Sequence, residues 1–210
     1  MDYTQLPDSR TKLKMFLIAC DLFPAGGYQF VGLDHFARGD EALVQSLEDG
    51  TLQRNFQGMT TGGDLRLIGV GSSAISHLID VGFLQNVKDT DQYIACIAGG
   101  GQAVERGKRL SRDDRIRQAV ISQLYCYCAI SPKRIERRFG IEFATYFDRE
   151  LTIIEELEHN GLVRIDGSAT IRLTSPLGHI LMRNVAAVFD AYLDRKAYCE
   201  GEGVCFSANA

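Results

Sequence analysis

The apolar positions of the chain change period several times, and each change predicts an element. Residues 9–23 place Leu13, Phe16, Leu17 and Cys20 at helical spacing, and Pro24 with Gly26 and Gly27 is expected to stop that helix. Residues 28–33 are aromatic and β-branched and read as a short strand, with Asp34 and His35 at its C-terminal end. A second helix is expected over 40–48, a strand over 83–87 and a helix over 89–97, closed by three glycines at 99–101 that suit a hinge or linker. Helix, glycine stop and strand in succession predict an α/β arrangement.

The pattern turns helical beyond the triple glycine. Ser111 is a plausible N-cap and Asp113 and Asp114 suit a first turn, for a helix reaching about Cys128. Ser131-Pro132 opens another, ended by Gly140. A third is expected over 142–158, with Phe143, Phe147, Leu151, Ile154 and Leu157 along one side. Residues 162–173 read as a small hairpin turning at Asp166-Gly167, and a last helix is expected over 177–198. Three helices, a hairpin and a further helix make a winged-helix-like order. Such units often bind DNA, and Lys133, Arg134, Arg137 and Arg138 form a basic cluster.

Composition weakens that reading. The chain of 210 residues carries 23 basic and 27 acidic side chains, a formal charge of −4, so the basic cluster is read as a solvated helix face. No nucleic-acid and no membrane partner is expected. No apolar run approaches the ~18–20 residues of a membrane span. The first residues lack a charged-then-apolar leader, so a cytoplasmic location is expected. In that setting Cys20, Cys96, Cys126, Cys128, Cys199 and Cys205 are read mostly as small buried hydrophobes, since no familiar zinc spacing occurs and no metal site is expected.

Candidate chemistry is sparse. Residues 55–76 hold five glycines around a short apolar segment, which suits close backbone approach to a ligand or tight turns alone. The stretch matches neither a dinucleotide fingerprint nor a phosphate loop. Of four histidines, only His35 beside Asp34 is suggestive, because α/β sites gather at strand C-terminal ends; a structural pair is an equal reading. No G-x-S-x-G nucleophile elbow occurs.

Several segments together resemble the oxygen-independent coproporphyrinogen III oxidase family. They are GYQFVGLDHFA at 27–37, RNFQGMTT at 54–61, LIGVGSSAIS at 67–76, RGKRLSRDDRIRQAVI at 106–121 and RNVAAVFDAYL at 183–193. They run in family order over nearly the whole chain. Met59 stands where the family usually has Tyr, and His179 where Arg usually follows the glycine. The resemblance implies a radical S-adenosylmethionine enzyme of heme biosynthesis. In it a [4Fe-4S] cluster and S-adenosylmethionine generate a radical that starts oxidative decarboxylation of porphyrinogen propionates, giving protoporphyrinogen IX.

It also implies a fold. An α/β remnant of a radical-SAM (β/α) barrel is expected over 1–105, followed by a mainly helical, winged-helix-like domain over 106–210. Gln57, Ile75 and Phe56 would line a second S-adenosylmethionine, and Asp34 and His35 would face the barrel interior. The Cys-x3-Cys-x2-Cys triplet that holds the family's cluster is absent from the sequence. The chain is therefore expected to be inactive alone, with the cluster ligands on a complementing N-terminal half. The alternative is a non-catalytic module that binds S-adenosylmethionine, porphyrin or a partner protein. Residues 1–105 are expected to be loose or associating by themselves, and 111–198 to fold independently.

Overall fold

A computed structural model of the protein describes residues 6–62, 66–79 and 81–193. Helix α1 (Ser9–Ala25) begins at Asp8, whose carboxylate accepts the Thr11 N–H at 2.7 Å. Pro24 does not stop the helix but rides in its last turn, and Gly26 is the cap. None of its residues is buried, and Ile18 and Leu22 remain 56% and 65% exposed.

The expected strand over 28–33 is instead half of a hairpin. β1 (Tyr28–Phe30) pairs antiparallel with β2 (Phe36–Arg38), and the chain reverses through Gly32 (φ 103°) and Leu33 (φ 52°). Helix α2 (Ala42–Glu48) follows, then a second hairpin of β3 (Gln53–Asn55) and β4 (Gly58–Thr60). β5 (Ile75–Leu78), β6 (Gly82–Asn86) and β7 (Val104–Arg109) form a three-stranded sheet in that order, with α3 (Thr90–Ala98) between β6 and β7.

Every strand pairing among the described residues is antiparallel. This corrects the expected parallel barrel rhythm. Short turns close β1–β2, β3–β4 and β5–β6, whereas parallel neighbours need a crossover of a dozen residues or more. The apolar segment after the first glycines forms a single bridge, Leu67 to His77. β7 continues through residues 105 and 106, where the sequence suggested a division.

The second half follows the sequence more closely. Helix α4 (Arg112–Tyr127) opens with a capping box: the Ser111 hydroxyl accepts the Asp114 N–H, and Asp114 accepts the Ser111 N–H. After β8 (Ala129–Ile130), α5 (Pro132–Phe139) runs from Pro132 to the Gly140 cap. The expected helix over 142–158 is two, α6 (Phe143–Tyr146) and α7 (Asp148–His159), broken at Phe147. That break turns the Phe147 ring fully inward, 5.4 Å from Phe189.

β9 (Val163–Ile165) and β10 (Ile171–Leu173) form the expected hairpin, and β8 adds a third strand on β10. The final helix is α8 (Leu177–Ile180) and α9 (Met182–Ala187) rather than one element. After α9, i→i−3 turns from Val188 and Phe189 swing Phe189 into the core. The end of the expected helix, with Cys199 and Cys205, lies outside the described residues.

One core dominates. Ile116, Val120 and Leu124 of α4 are completely buried among Ile130, Ile135, Phe147, Ile154, Ile171, Val185 and Phe189. A smaller cluster of Val31, Ala37, Val44, Leu52 and Cys126 holds the first hairpin and α2 against the other side of α4. Met59 packs on both clusters. Burial pushes the Cys126 thiol up to about 11 and the Cys128 thiol to about 12, as inert packing cysteines require. Among the described residues no helix is long and apolar enough to cross a membrane.

Leu124→Ala should lower stability by about 2–5 kcal/mol through the cavity it leaves, whereas Ile18→Ala on α1 should change it by less than about 0.5 kcal/mol. Urea unfolding of the two variants checks the contrast.

His179 stacks on Phe30 at 4.9 Å, and burial holds its imidazole below the usual 6.5. A depressed histidine favours the folded state above its unfolded pKa and loses that contribution as pH falls through the folded value. The stability of the wild type should therefore drop below about pH 6.5, and His179→Gln should flatten that drop in urea titrations at stepped pH.

Candidate ligand-binding groove

The three-stranded sheet turns one face toward α4. Antiparallel register places Ile75 opposite Gln85 and His77 opposite Phe83, with Arg106 and Lys108 continuing those rows on β7. His77 stacks on Phe83 at 4.4 Å. Phe56, at the tip of the β3–β4 hairpin, meets Phe83 edge-on at 5.3 Å while staying 57% exposed. The hairpin tip therefore reaches the sheet face that carries Ile75.

The opposite wall is α4. Arg115, Gln118, Ser122 and Tyr125 recur at i, i+3, i+7 and i+10, away from the apolar stripe that enters the core. Together with Phe56, the sheet face and α5, they enclose a groove of ≈ 990 Å³. That is the upper end of the usual size of small-molecule sites, about 300–1,000 Å³.

Gly32 sets how closely the first hairpin approaches α4. A Cβ there would lie 2.0 Å from the Tyr125 carbonyl oxygen, so only glycine fits that turn. The glycine-rich stretch has the same character. A Cβ on Gly69 would lie 2.8 Å from the Ile75 backbone, the Gly69 N–H donates to Ser76 Oγ, and the Asn86 amide donates to the Gly69 and Gly71 carbonyls. These glycines serve packing of the loop on its own sheet.

A polar latch joins the groove walls. The Tyr192 hydroxyl donates to Asp114 Oδ1 at 2.7 Å, and Lys108 Nζ sits 4.6 Å from the Tyr192 ring centroid. This joins the segment after α9 to the start of α4 and to β7. The hydroxyl bond from Tyr192, aided by the Ser111 N–H, holds the Asp114 carboxyl below its usual 3.8. Deeper in, Arg117 donates to Asp113 at 2.9 Å, to Glu150 at 3.0 Å and to the Phe189 carbonyl at 3.2 Å.

Of the residues singled out from the sequence, Phe56 lines the groove, and Ile75 belongs to the sheet that forms one wall. Gln57 is exposed in the hairpin turn, its N–H donating to Asn55 Oδ1 at 2.8 Å. Asp34 and His35 sit in the β1–β2 turn, outside the groove lining; His35 Nδ1 lies 2.9 Å from Asp34 Oδ1 without hydrogen-bond alignment. They therefore sit in a hairpin turn and not at the C-terminal end of a strand over 28–33.

Sequence reasoning missed Arg54, whose guanidinium lies 5.4 Å from the Tyr125 ring centroid, and the Tyr192 latch. Both carried a signal, since Arg54 opens the RNFQG segment and Tyr192 lies in the RNVAAVFDAYL segment. Among the described residues no three His, Cys, Asp or Glu side chains gather as a metal site, and the buried thiols of Cys126 and Cys128 do not fit an iron–sulfur cluster. Phe56 and Ile75, an exposed ring and an apolar side chain on one sheet face, fit the stacking and apolar contacts an adenosyl group needs.

Comparison with known proteins agrees with this architecture. Residues 110–175 match the HemN C-terminal domain. The oxygen-independent coproporphyrinogen III oxidase of Pseudomonas aeruginosa is 42% identical over 188 residues, 90% of this chain and 40% of that protein. The enzyme of the same name from Salmonella typhimurium is 41% identical over 192 residues, 91% of this chain and 41% of that protein. The solved coproporphyrinogen III oxidase (HemN) from Escherichia coli, described as a radical SAM enzyme, superposes with a TM-score of 0.84 at 39% identity, covering 92% of this chain and 44% of that one. In sequence and in fold, the chain matches the C-terminal part of the oxygen-independent coproporphyrinogen III oxidases. It spans about two fifths of the length of these curated relatives.

Tyr192→Phe should raise the Asp114 pKa toward 3.8, read by carboxyl NMR titration. A depressed carboxyl stabilises the fold above its unfolded pKa and stops doing so as pH falls through the folded value. The stability gap between wild type and Tyr192→Phe should therefore be full at about pH 7 and close below about pH 4. An unchanged Asp114 titration would remove the latch.

Proposed function

We propose that this chain serves as the C-terminal part of an oxygen-independent coproporphyrinogen III oxidase, which converts coproporphyrinogen III to protoporphyrinogen IX by oxidative decarboxylation in heme biosynthesis. The observation that carries this reading is the RNFQG hairpin, whose Phe56 lies against the sheet bearing Ile75, in a chain 42% identical to such an enzyme over 90% of its length. Residues 1–105 are read as the C-terminal part of the radical-SAM barrel region of the complete enzyme. Residues 106–210 are read as its C-terminal domain, with α4, α5, α7 and the β8–β10–β9 sheet in a winged-helix-like arrangement.

On this reading the residues of this chain bind and orient. Phe56 and Ile75 offer apolar and stacking contacts to a second S-adenosylmethionine, and Gln57 offers an amide to its polar end. The groove holds the porphyrinogen away from bulk water. The [4Fe-4S] cluster is assigned to a complementing N-terminal part, and no step is routed through this chain's cysteines. A cytoplasmic setting suits its free thiols. The groove also favours a second reading, a binding module for S-adenosylmethionine or porphyrin with no turnover of its own.

The test is complementation. The chain is mixed anaerobically with the N-terminal part of a family enzyme carrying a reconstituted cluster, and protoporphyrinogen formation is measured. Activity is expected only in the mixture, reduced about tenfold or more by Phe56→Ala as a lost stacking and positioning contact. Tight calorimetric binding of S-adenosylmethionine or porphyrin with no activity in any mixture would favour the module. No binding by a well-folded sample would remove both readings.

A further inference from the structure

The groove carries more cationic charge than its own fold consumes. Arg54 on β3, Arg66 before β5, and Arg134 and Arg138 on α5 all line it, and none has a carboxylate partner among the described residues. Arg117, also on the lining, is fully engaged with Asp113 and Glu150. The acids of the lining are occupied too. Asp114 accepts from Tyr192 and Ser111, and Asp190 accepts the Tyr192 N–H at 2.8 Å.

Two of the arginines are held in place by neutral groups. Arg54 lies over the Tyr125 ring. Arg134 lies 5.5 Å from the Tyr127 ring centroid and donates to the Gly50 carbonyl at 3.3 Å. A cation–π contact restrains a guanidinium near the ring while leaving N–H groups that can donate to a carboxylate; Arg134 spends one of them on Gly50 and keeps the others. The charges reach the groove from separate elements and share it with the exposed Phe56 ring and the Phe83–His77 stack. A wide ringed ligand with several carboxylates at its rim fits that distribution better than a single phosphate does. A nucleic acid would be drawn to an open basic face, whereas these charges line a recess in a chain of net charge −4.

We propose that Arg54 and Arg134 clamp carboxylate side chains of a tetrapyrrole in this groove and so determine its specificity for the polycarboxylate. The inference rests on the functional reading above for the identity of the ligand, and on the arginine geometry for the mode of recognition.

The test is binding by the full chain alone, with no cluster and no turnover. Coproporphyrin III, the stable oxidised macrocycle with the same four propionates, is titrated by fluorescence beside its uncharged tetramethyl ester. The acid should bind about tenfold or more tightly than the ester, with an affinity that falls as salt rises. Arg54→Gln and Arg134→Gln should each weaken the acid about three- to tenfold and leave the ester unchanged, because exposed charge-assisted bonds are partly screened. Arg54→Lys, which keeps the charge without the planar fork, should fall between, and Lys14→Gln on α1 should change nothing.

Equal binding of acid and ester, or a well-folded Arg54→Gln/Arg134→Gln double variant with wild-type affinity, would overturn the proposal. So would arginine-dependent binding of duplex DNA with no porphyrin binding. Complementation separates the two readings. Arginine-dependent porphyrin binding without activity in the mixture would leave this inference standing and remove the enzymatic reading. Activity whose KM for coproporphyrinogen is unchanged in the double variant would do the reverse.

Discussion

The two faces of α4 impose the constraint on which the rest of the molecule depends. Ile116, Val120 and Leu124 are spaced four residues apart and are completely buried. Side chains at that spacing lie on one stripe, and burying each contributes about 1.5–3 kcal/mol. Arg115, Gln118, Ser122 and Tyr125 fall on the face the stripe leaves free. Sliding the helix by one residue would turn every side chain by about 100°, putting charge into the core and leucine into the groove. The capping box at Ser111 fixes where the helix starts, and the Gly32 turn pressed on the Tyr125 carbonyl fixes what lies beside it. Core and groove are thus two readings of one helical register.

The groove walls are not held equally. The α4 side belongs to the large core, and Arg117 reinforces it with bonds to Asp113, Glu150 and the Phe189 carbonyl. A buried ion pair of this kind adds modest net stability, but removing one partner strands the other and costs several kcal/mol, so it fixes geometry more than it stabilises. The sheet side lacks such backing. β5, β6 and β7 contribute nothing to the large cluster, and they reach α4 through the Phe56–Phe83 contact and the Tyr192 latch. Segments with few buried apolar contacts open at lower free energy than the core they border.

The sequence showed most clearly the parts governed by local rules. α4 had both a cap and a period, α5 had Pro132 and Gly140 as its limits, and the β9–β10 hairpin had Asp166-Gly167 at its turn. What escaped was set by distant contacts. β7 reads VERGKR and exposes all six residues, so no apolar alternation marks it; pairing with β6 makes it a strand. The break at Phe147 follows from the demand of the core for that ring, which a helical period running through 142–158 conceals. The antiparallel hairpins of the first half look like α/β strands because short strands carry no mark of their partner's direction. At the site, Phe56 and Ile75 were legible through resemblance, whereas the basic cluster of α5 read as a solvated face. Arg134 and Arg138 line the groove only because the segment between α2 and β3 brings Gly50 alongside α5 and Leu52 alongside Tyr127, juxtapositions across 84 and 75 residues.

Those juxtapositions link the weak wall to the charges. Arg54 stands on the hairpin whose tip touches the sheet, and Arg134 on a helix anchored in the large core through Ile135. Without an anion between them, the two exposed cations repel only weakly, because solvent screens them. The aromatic stacks and the Gly50 carbonyl offset part of that cost, and the rest favours separation of the walls. A ligand carrying several carboxylates reverses the sign, because each carboxylate converts a repulsion into an attraction on both walls at once. The core-backed side, which includes the hairpin through Met59, has little freedom to move, so the response falls on the sheet. The sheet carries Ile75 and meets Phe56 through Phe83, so filling the arginine end of the groove would also position the residues at its other end.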